Sequence, residues 1–273
     1  MTRWSLFLAS LLLLATPSAR AEGVVKLHAA GSLRAAFTEL AQSFTAATGI
    51  GVETNFGASG LLREALAHEA SGDVFASADL GNPRALAEMG KAGPVILFAR
   101  NRLCAETRPG FAATSETLLE RMLDPATRLA TSTPKNDPAG DYAWEVFRKA
   151  ESIKAGARAA LEAKALPLSG AKDSPRAPDG KGVYAWNLEE KRADLFLLYC
   201  TNAHQVSRDL PGAATIELPP ALATGAQYGI TALKPGDSAK ALALISYILS
   251  PEGQAILAKH GFDAPLFVAA DSR

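Results

Sequence analysis

Short apolar runs alternate along the chain with longer stretches that carry a single apolar face. Val24 to Ala29 is apolar in the manner of a buried strand. Leu33 to Ala47 follows, with Leu33, Ala36, Phe37, Leu40 and Phe44 at helical spacing. Thr48-Gly49 suits a helix C-cap, Gly51 to Phe56 reads as a strand, and Leu61 to Ala70 as the next helix. Val74 to Ser77 predicts a short strand, and Pro83 to Met89 a helix with proline at a permitted early position. Val95 to Ala105 mixes apolar and polar residues, as a connection between lobes would. The plan then restarts with a strand at Arg128 to Thr131 and helices at Asp141 to Ala150 and Ile153 to Glu162. A polar loop, Ser169 to Gly182, leads to a helix at Val183 to Lys191 and an apolar strand at Leu195 to Tyr199. Strands at Thr215 to Leu218 and Gln227 to Leu233, then helices at Ala239 to Leu249 and Pro251 to His260, close the chain.

Strands alternating with helices predict an α/β fold with a largely parallel sheet covered on both faces. The restart near residue 100 predicts two doubly wound lobes joined by crossing strands. Residues 22–98 and 222–273 are expected in lobe 1 and residues 99–221 in lobe 2. Ligands of such sheets bind at the carboxyl ends of strands, where helices begin, so the cleft between the lobes is the expected site. The composition, 48% hydrophobic and 21% charged, is that of a chain with a substantial core.

The first residues, MTRWSLFLASLLLLATPSARAEG, carry an early arginine, a short apolar stretch and an Ala19-Arg20-Ala21 cleavage pattern. They read as a signal peptide over residues 1–21, which places the mature chain in the periplasm. Lys plus Arg and Asp plus Glu both number 28, so no basic excess points to nucleic acid. Any anion has to be held locally.

Three strand-to-helix corners are built of small residues: Gly31-Ser32, Ala58-Ser59-Gly60 and Pro138-Ala139-Gly140. A helix N-terminus offers unpaired N–H donors and roughly half a positive charge, so an anion docks there without a lysine or arginine. Taken singly, each serine is more readily read as a simple N-cap; three such corners in one chain strengthen the anion reading, and the residues alone leave both open. Little in the chain points to catalysis. Glu189 and Glu190 are adjacent and point to different sides of a helix, and His28, His68, His204 and His260 show no metal-ligand spacing. There is no G-x-S-x-G elbow and no P-loop lysine motif. No cofactor is expected.

Six segments, in order, carry a family resemblance: AAGSLRAAF from Ala29, NFGASGLLREAL from Asn55, GDVFASAD from Gly72, DPAGDYAWEVF from Asp137, LFLLYCTNA from Leu195 and SPEGQAILAKHGF from Ser250. The chain resembles the periplasmic molybdate-binding proteins of ABC transporters, which have the type II periplasmic-binding-protein fold. The resemblance implies a monomer that captures molybdate or tungstate and delivers it to a membrane permease. It implies ligand contacts from Ser32 and Ser59, from the backbone N–H of Ala139, from the Tyr199 hydroxyl, and from a backbone donor at Gly180 or Lys181. In that last loop the chain is more polar than the family pattern, which bears on which oxyanion is held. Molybdate carries no proton at neutral pH, and the expected site is donor-only, with no acceptor for a protonated anion. Sulfate or a ferric complex on the same fold, and a secreted hydrolase, are the alternatives. The resemblance also sets the strands bearing Cys104 and Cys200 side by side, so a disulfide between them is expected in an oxidising compartment.

Overall fold

The structure is a computed structural model and describes residues 23–68 and 71–265. The expected signal peptide and the last residues of the helix expected to end at Ala70 lie outside the described residues. No single helix among those described is long and apolar enough to cross a membrane.

The chain opens with β1 (Val24–Ala30), a 3-10 turn at Gly31–Leu33, and α1 (Arg34–Thr48). Gly49 ends α1 in the left-handed conformation (φ 75°), with its N–H donating to Thr45 O, which is why a glycine stands there. Next come β2 (Gly51–Gly57), α2 (Ser59–His68), β3 (Val74–Ser77) and α3 (Gly81–Glu88). The long strand β4 (Ile96–Thr107) then leads to α4 (Leu118–Leu123), β5 (Leu129–Ser132), α5 (Pro138–Ile153) and α6 (Ala157–Lys164). After these come β6 (Leu166–Ser169), α7 (Val183–Glu189), β7 (Leu195–Tyr199) and α8 (Cys200–Asp209). The chain finishes through β8 (Ala214–Glu217), β9 (Gly225–Ala232), α9 (Ser238–Leu249) and α10 (Pro251–Lys259).

The strands form one curled path in the order β2-β1-β3-β9-β4-β7-β5-β6, with β8 pairing β4 off that path. Its ends are parallel, as expected: β1 with β2 and β3, and β5 with β6 and β7. Its centre corrects the expectation of a largely parallel sheet, because β9 runs antiparallel to β3 and β4, and β4 antiparallel to β7 and β8. The reason is local. β4 is no simple connection but a strand of 12 residues that crosses the molecule. Residues 96–102 of β4 pair with β9, and residues 103–107 with β7. A strand shared between two half-sheets cannot also run in the βαβ sense of both.

Two α/β lobes result. In the first, Phe37, Leu40 and Phe44 of α1 are fully buried in a core that also holds Phe98, Ile230, Leu244 and Ile248. In the second, β7 is buried on both faces: Leu195, Leu197 and Tyr199 join the main core, while Phe196 and Leu198 join a cluster with Leu188 and Val206. This is the period-two alternation of a central strand. Cys104 of β4 and Cys200, the first residue of α8, form the expected disulfide, with Cα atoms 4.9 Å apart. The β4–β7 register, Cys104 opposite Leu198, brings them together.

Candidate functional site

A cavity of about 220 Å³ lies where the two lobes meet, lined by Ser32, Ala58, Ser59 and Ala78 on one side. Asp137, Gly170, Val183, Tyr184, Tyr199 and Asn202 line the other. It opens outward into a larger cleft of about 1250 Å³ that takes in residues 169–185 and the end of α10.

On the first-lobe wall, each serine hydroxyl has one hydrogen-bond partner. Ser32 Oγ lies 2.9 Å from the Tyr228 hydroxyl. Tyr228 is fully buried and accepts from Asn101 Nδ2 at 3.2 Å, while Asn101 Oδ1 accepts from the Arg102 N–H and so fixes the amide. Either hydroxyl can donate in the Ser32–Tyr228 bond; with Tyr228 as the donor, the Ser32 proton is left for the cavity. Ser59, 1% exposed, accepts from the Ala78 N–H at 3.1 Å, which frees its own proton in the same way. Neither hydroxyl bonds to a histidine. The corner at Gly60 is tight: its N–H donates to Asn136 O at 2.8 Å, and a Cβ there would lie 2.3 Å from Lys135 O. Only glycine lets the start of α2 meet the loop that leads into α5.

On the second-lobe wall, Asp137 caps α5. Its Oδ1 accepts from the Ala139 N–H at 3.1 Å, ahead of Pro138 in the first helical turn. Gly170 (φ +86°) leaves room for it, since a Cβ there would lie 2.5 Å from Asp137 Cβ. Ser132 and Ser169 bond to each other at 2.8 Å beneath it. Tyr184 stands at the start of α7, where burial pushes its hydroxyl up to about 12. Tyr199 is the last residue of β7, and its hydroxyl has only a long contact, 3.5 Å, to Ala78 O. Burial holds it well above the usual tyrosine range, so it is a donor. Asn202 Oδ1, on the same wall, is buried without a hydrogen-bond partner among the described residues.

The charges are unexpected for a donor-only site. Burial raises the Asp137 carboxyl to about 6, against the opposing N–H of Ala139, and Asp141 and Asp79 add to the rise. Asp79 is also raised by burial, although Ser77 and Asn82 donate to it. Arg34 reaches the cavity wall, with its guanidinium over the Phe56 ring at 4.7 Å.

Of the residues singled out in the sequence, Ser32, Ser59 and Tyr199 come together around this cavity. Ala139 is fully buried behind Asp137, and the carboxylate already takes its N–H. Gly180 and Lys181 lie exposed on the outer cleft, where Lys181 pairs with Glu189. At this wall Val183 lines the cavity itself. The expectation that the site holds no acceptor is corrected by Asp137. Asp137 heads the DPAGDYAWEVF segment, and an aspartate before Pro138 at a strand-to-helix corner is the signal that could have found it. Asn202, likewise, sits inside the quoted LFLLYCTNA segment. Tyr184 and Tyr228 had no local signal.

A ligand cavity between two α/β lobes, joined by shared crossing strands and walled from both sides, defines the two-lobed solute-binding class. A family model described as bacterial extracellular solute-binding protein matches residues 25–263, and the chain belongs to that family. An uncharacterised protein of Pasteurella multocida is 34% identical over 240 residues, covering 87% of this chain and 98% of its own. The molybdate-binding protein ModA of Escherichia coli is 26% identical over 251 residues, covering 88% and 89%. The periplasmic molybdate-binding protein of Azotobacter vinelandii has the same fold, with a TM-score of 0.71 at 21% identity over 89% of this chain and all of that one.

Proposed function

We propose that the protein captures a tetrahedral oxyanion in the periplasm, in the cavity between its lobes, and hands it to the permease of an ABC importer. The observation that carries this is the convergence of Ser32, Ser59 and Tyr199, three hydroxyl-bearing residues lining one small cavity. Charge-assisted bonds of this kind contribute roughly 1.5–3 kcal/mol each, so a few suffice for micromolar binding. The absence of a histidine bonded to either serine favours binding without turnover. The six-segment resemblance and the relation to a molybdate-binding relative put molybdate and tungstate among the oxyanions to be tested. Lobe 1 is assigned residues 22–98 and 222–273, and lobe 2 residues 99–221, in a monomer.

The test is a thermal-shift and calorimetric screen against molybdate, tungstate, sulfate, phosphate and arsenate. Binding to the native state at about 100 times the dissociation constant adds roughly 2.7 kcal/mol, a rise of several degrees in Tm. Failure of every oxyanion to move the melting curve would sink the reading.

A further inference from the structure

We propose that Asp137 is a proton-accepting member of the site, so that one proton is shared between its carboxyl group and the bound anion. The site then selects tetrahedral oxyanions that bring a proton at neutral pH, of the hydrogen phosphate class. This rests on the oxyanion reading above and names the subclass.

The argument is geometric. Asp137 lines the cavity that Ser32, Ser59 and Tyr199 line, and it caps the N-terminus of α5. One carboxylate oxygen is engaged by the Ala139 N–H, while the other lies toward Gly170, itself on the cavity wall. Among the described residues no lysine, arginine or histidine forms an ion pair with it. Every charged group credited with acting on it has the same sign: Asp141 one turn along its own helix and Asp79 beyond β3. Ser132 of β5 donates toward the carboxyl group and opposes the rise, and the Tyr184, Tyr199 and Tyr228 hydroxyls lie near enough to feel its charge. Arg34 of α1 reaches the wall but is stacked on Phe56.

An ionised carboxylate has only acceptor positions. Set against an oxyanion that also has only acceptors, it repels, and the repulsion is strong where water is excluded. Set against an oxyanion that carries an O–H, it accepts a hydrogen bond of the strong, charge-assisted kind. Hydrogen phosphate and hydrogen arsenate bring that proton. Molybdate, tungstate and sulfate do not at neutral pH, so they bind only with a proton taken up from solvent onto Asp137. The carboxyl's raised position, about 6, makes that uptake accessible in mildly acidic solution. The sign follows: affinity for unprotonated anions is greatest below pH 6 and falls about tenfold per pH unit above it, for one linked proton. Affinity for hydrogen phosphate, which arrives with its proton, stays level between pH 7 and 8.5.

The experiment compares wild type with Asp137→Asn by calorimetry, using phosphate, arsenate, molybdate and sulfate from pH 5.5 to 8.5, in two buffers of different ionisation heat. Asparagine caps a helix about as well as aspartate, so the variant keeps its fold. The buffers count protons on wild type alone, independently of the variant. At the alkaline end of the range, where phosphate in solution is almost wholly hydrogen phosphate, the expected uptake is about one proton per molybdate and none per phosphate. In Asp137→Asn the molybdate slope flattens and phosphate loses at least tenfold relative to molybdate. Equal slopes and an unchanged ranking in the two proteins, with oxyanions still bound, would overturn the role of Asp137 alone. If no oxyanion binds either protein at any pH, the oxyanion reading falls and this one with it.

Discussion

Ser32 and Ser59 have different second partners, and that separates their roles from plain capping. Neither serine caps a helix N–H through its side chain. Ser32 is bonded to Tyr228, and Ser59 holds the Ala78 N–H. Ser32→Ala and Ser59→Ala are each expected to weaken oxyanion binding by roughly 1–3 kcal/mol, because each removes a donor to a buried charge. Ser59→Ala should also lower apo stability by about 1–3 kcal/mol, since it leaves a buried N–H without its acceptor. Titration calorimetry read beside apo Tm distinguishes the two, and unchanged affinity in both variants would reduce the serines to structural residues. At this scale the sequence showed the strand-to-helix corners, since those depend on neighbours a few residues apart. Tyr228 lies 196 positions from Ser32, and nothing local announces that pairing. Asp137 was not singled out, because its place on the cavity wall depends on Gly170, distant in sequence, making room.

Among the elements, the second lobe's strands are tied together at the end away from the cavity. Asp194, just before β7, accepts from Arg128 Nε at 2.9 Å, from Arg128 Nη2 at 2.7 Å and from Arg108 Nε at 2.6 Å. It also takes the Arg128 backbone N–H at 2.9 Å. These residues sit at the start of β5, the end of β4 and the start of β7, so one carboxylate with only 6% of its side chain exposed joins three strands. The hydrogen bonds from Arg128, more than any other cause, hold it well below the usual carboxylate range. A depressed folded value means stability that is present above the unfolded value, near 4, and lost as pH falls below it. Asp194→Asn is expected to cost about 2–4 kcal/mol at pH 7, the lower end reflecting the partly exposed arginines. Its melting temperature should also fall less steeply than wild type between pH 5 and 2. Oxyanion affinity should hold, because the cavity lies at the other end of β7; a loss of affinity as large as the loss of stability would contradict this placement. The neighbouring helix α8 was missed in the sequence because β7 runs into it without a turn residue. Its buried positions, Cys200, Ala203 and Val206, are few and small within a polar stretch. Helix α5, with its aspartate-proline start and strong apolar face, was readable for the opposite reason.

For the whole molecule, alternation along the chain revealed two α/β lobes, while the antiparallel centre stayed hidden because strand direction is decided by long-range pairing. That centre matters for function. The half-sheets are joined through β4 and β9, and the cavity walls are carried by opposite halves: Ser32 and Ser59 by the first, Tyr199 and Asn202 by the second. An anion bonded to both walls adds a link to those that already join the lobes: the crossing strands, the Gly60 N–H to Asn136 O, the Tyr199 hydroxyl to Ala78 O and the Lys172–Glu64 ion pair. Its binding energy is therefore available to hold the lobes closed, as in hinge-type solute-binding proteins. On saturation with the best-bound oxyanion, amide exchange should slow on both walls at once. The affected amides are expected at residues 57–62 of the first lobe and 170–184 of the second, the latter a segment almost without regular structure before α7. The strands β5 and β7 at the Asp194 end, already buried, should change little by comparison. Protection confined to the wall of one lobe would mean that the anion docks on a single helix terminus and the lobes do not close on it. Protection on both walls that is lost in Ser59→Ala and in Ser32→Ala would tie closure to the hydroxyls themselves.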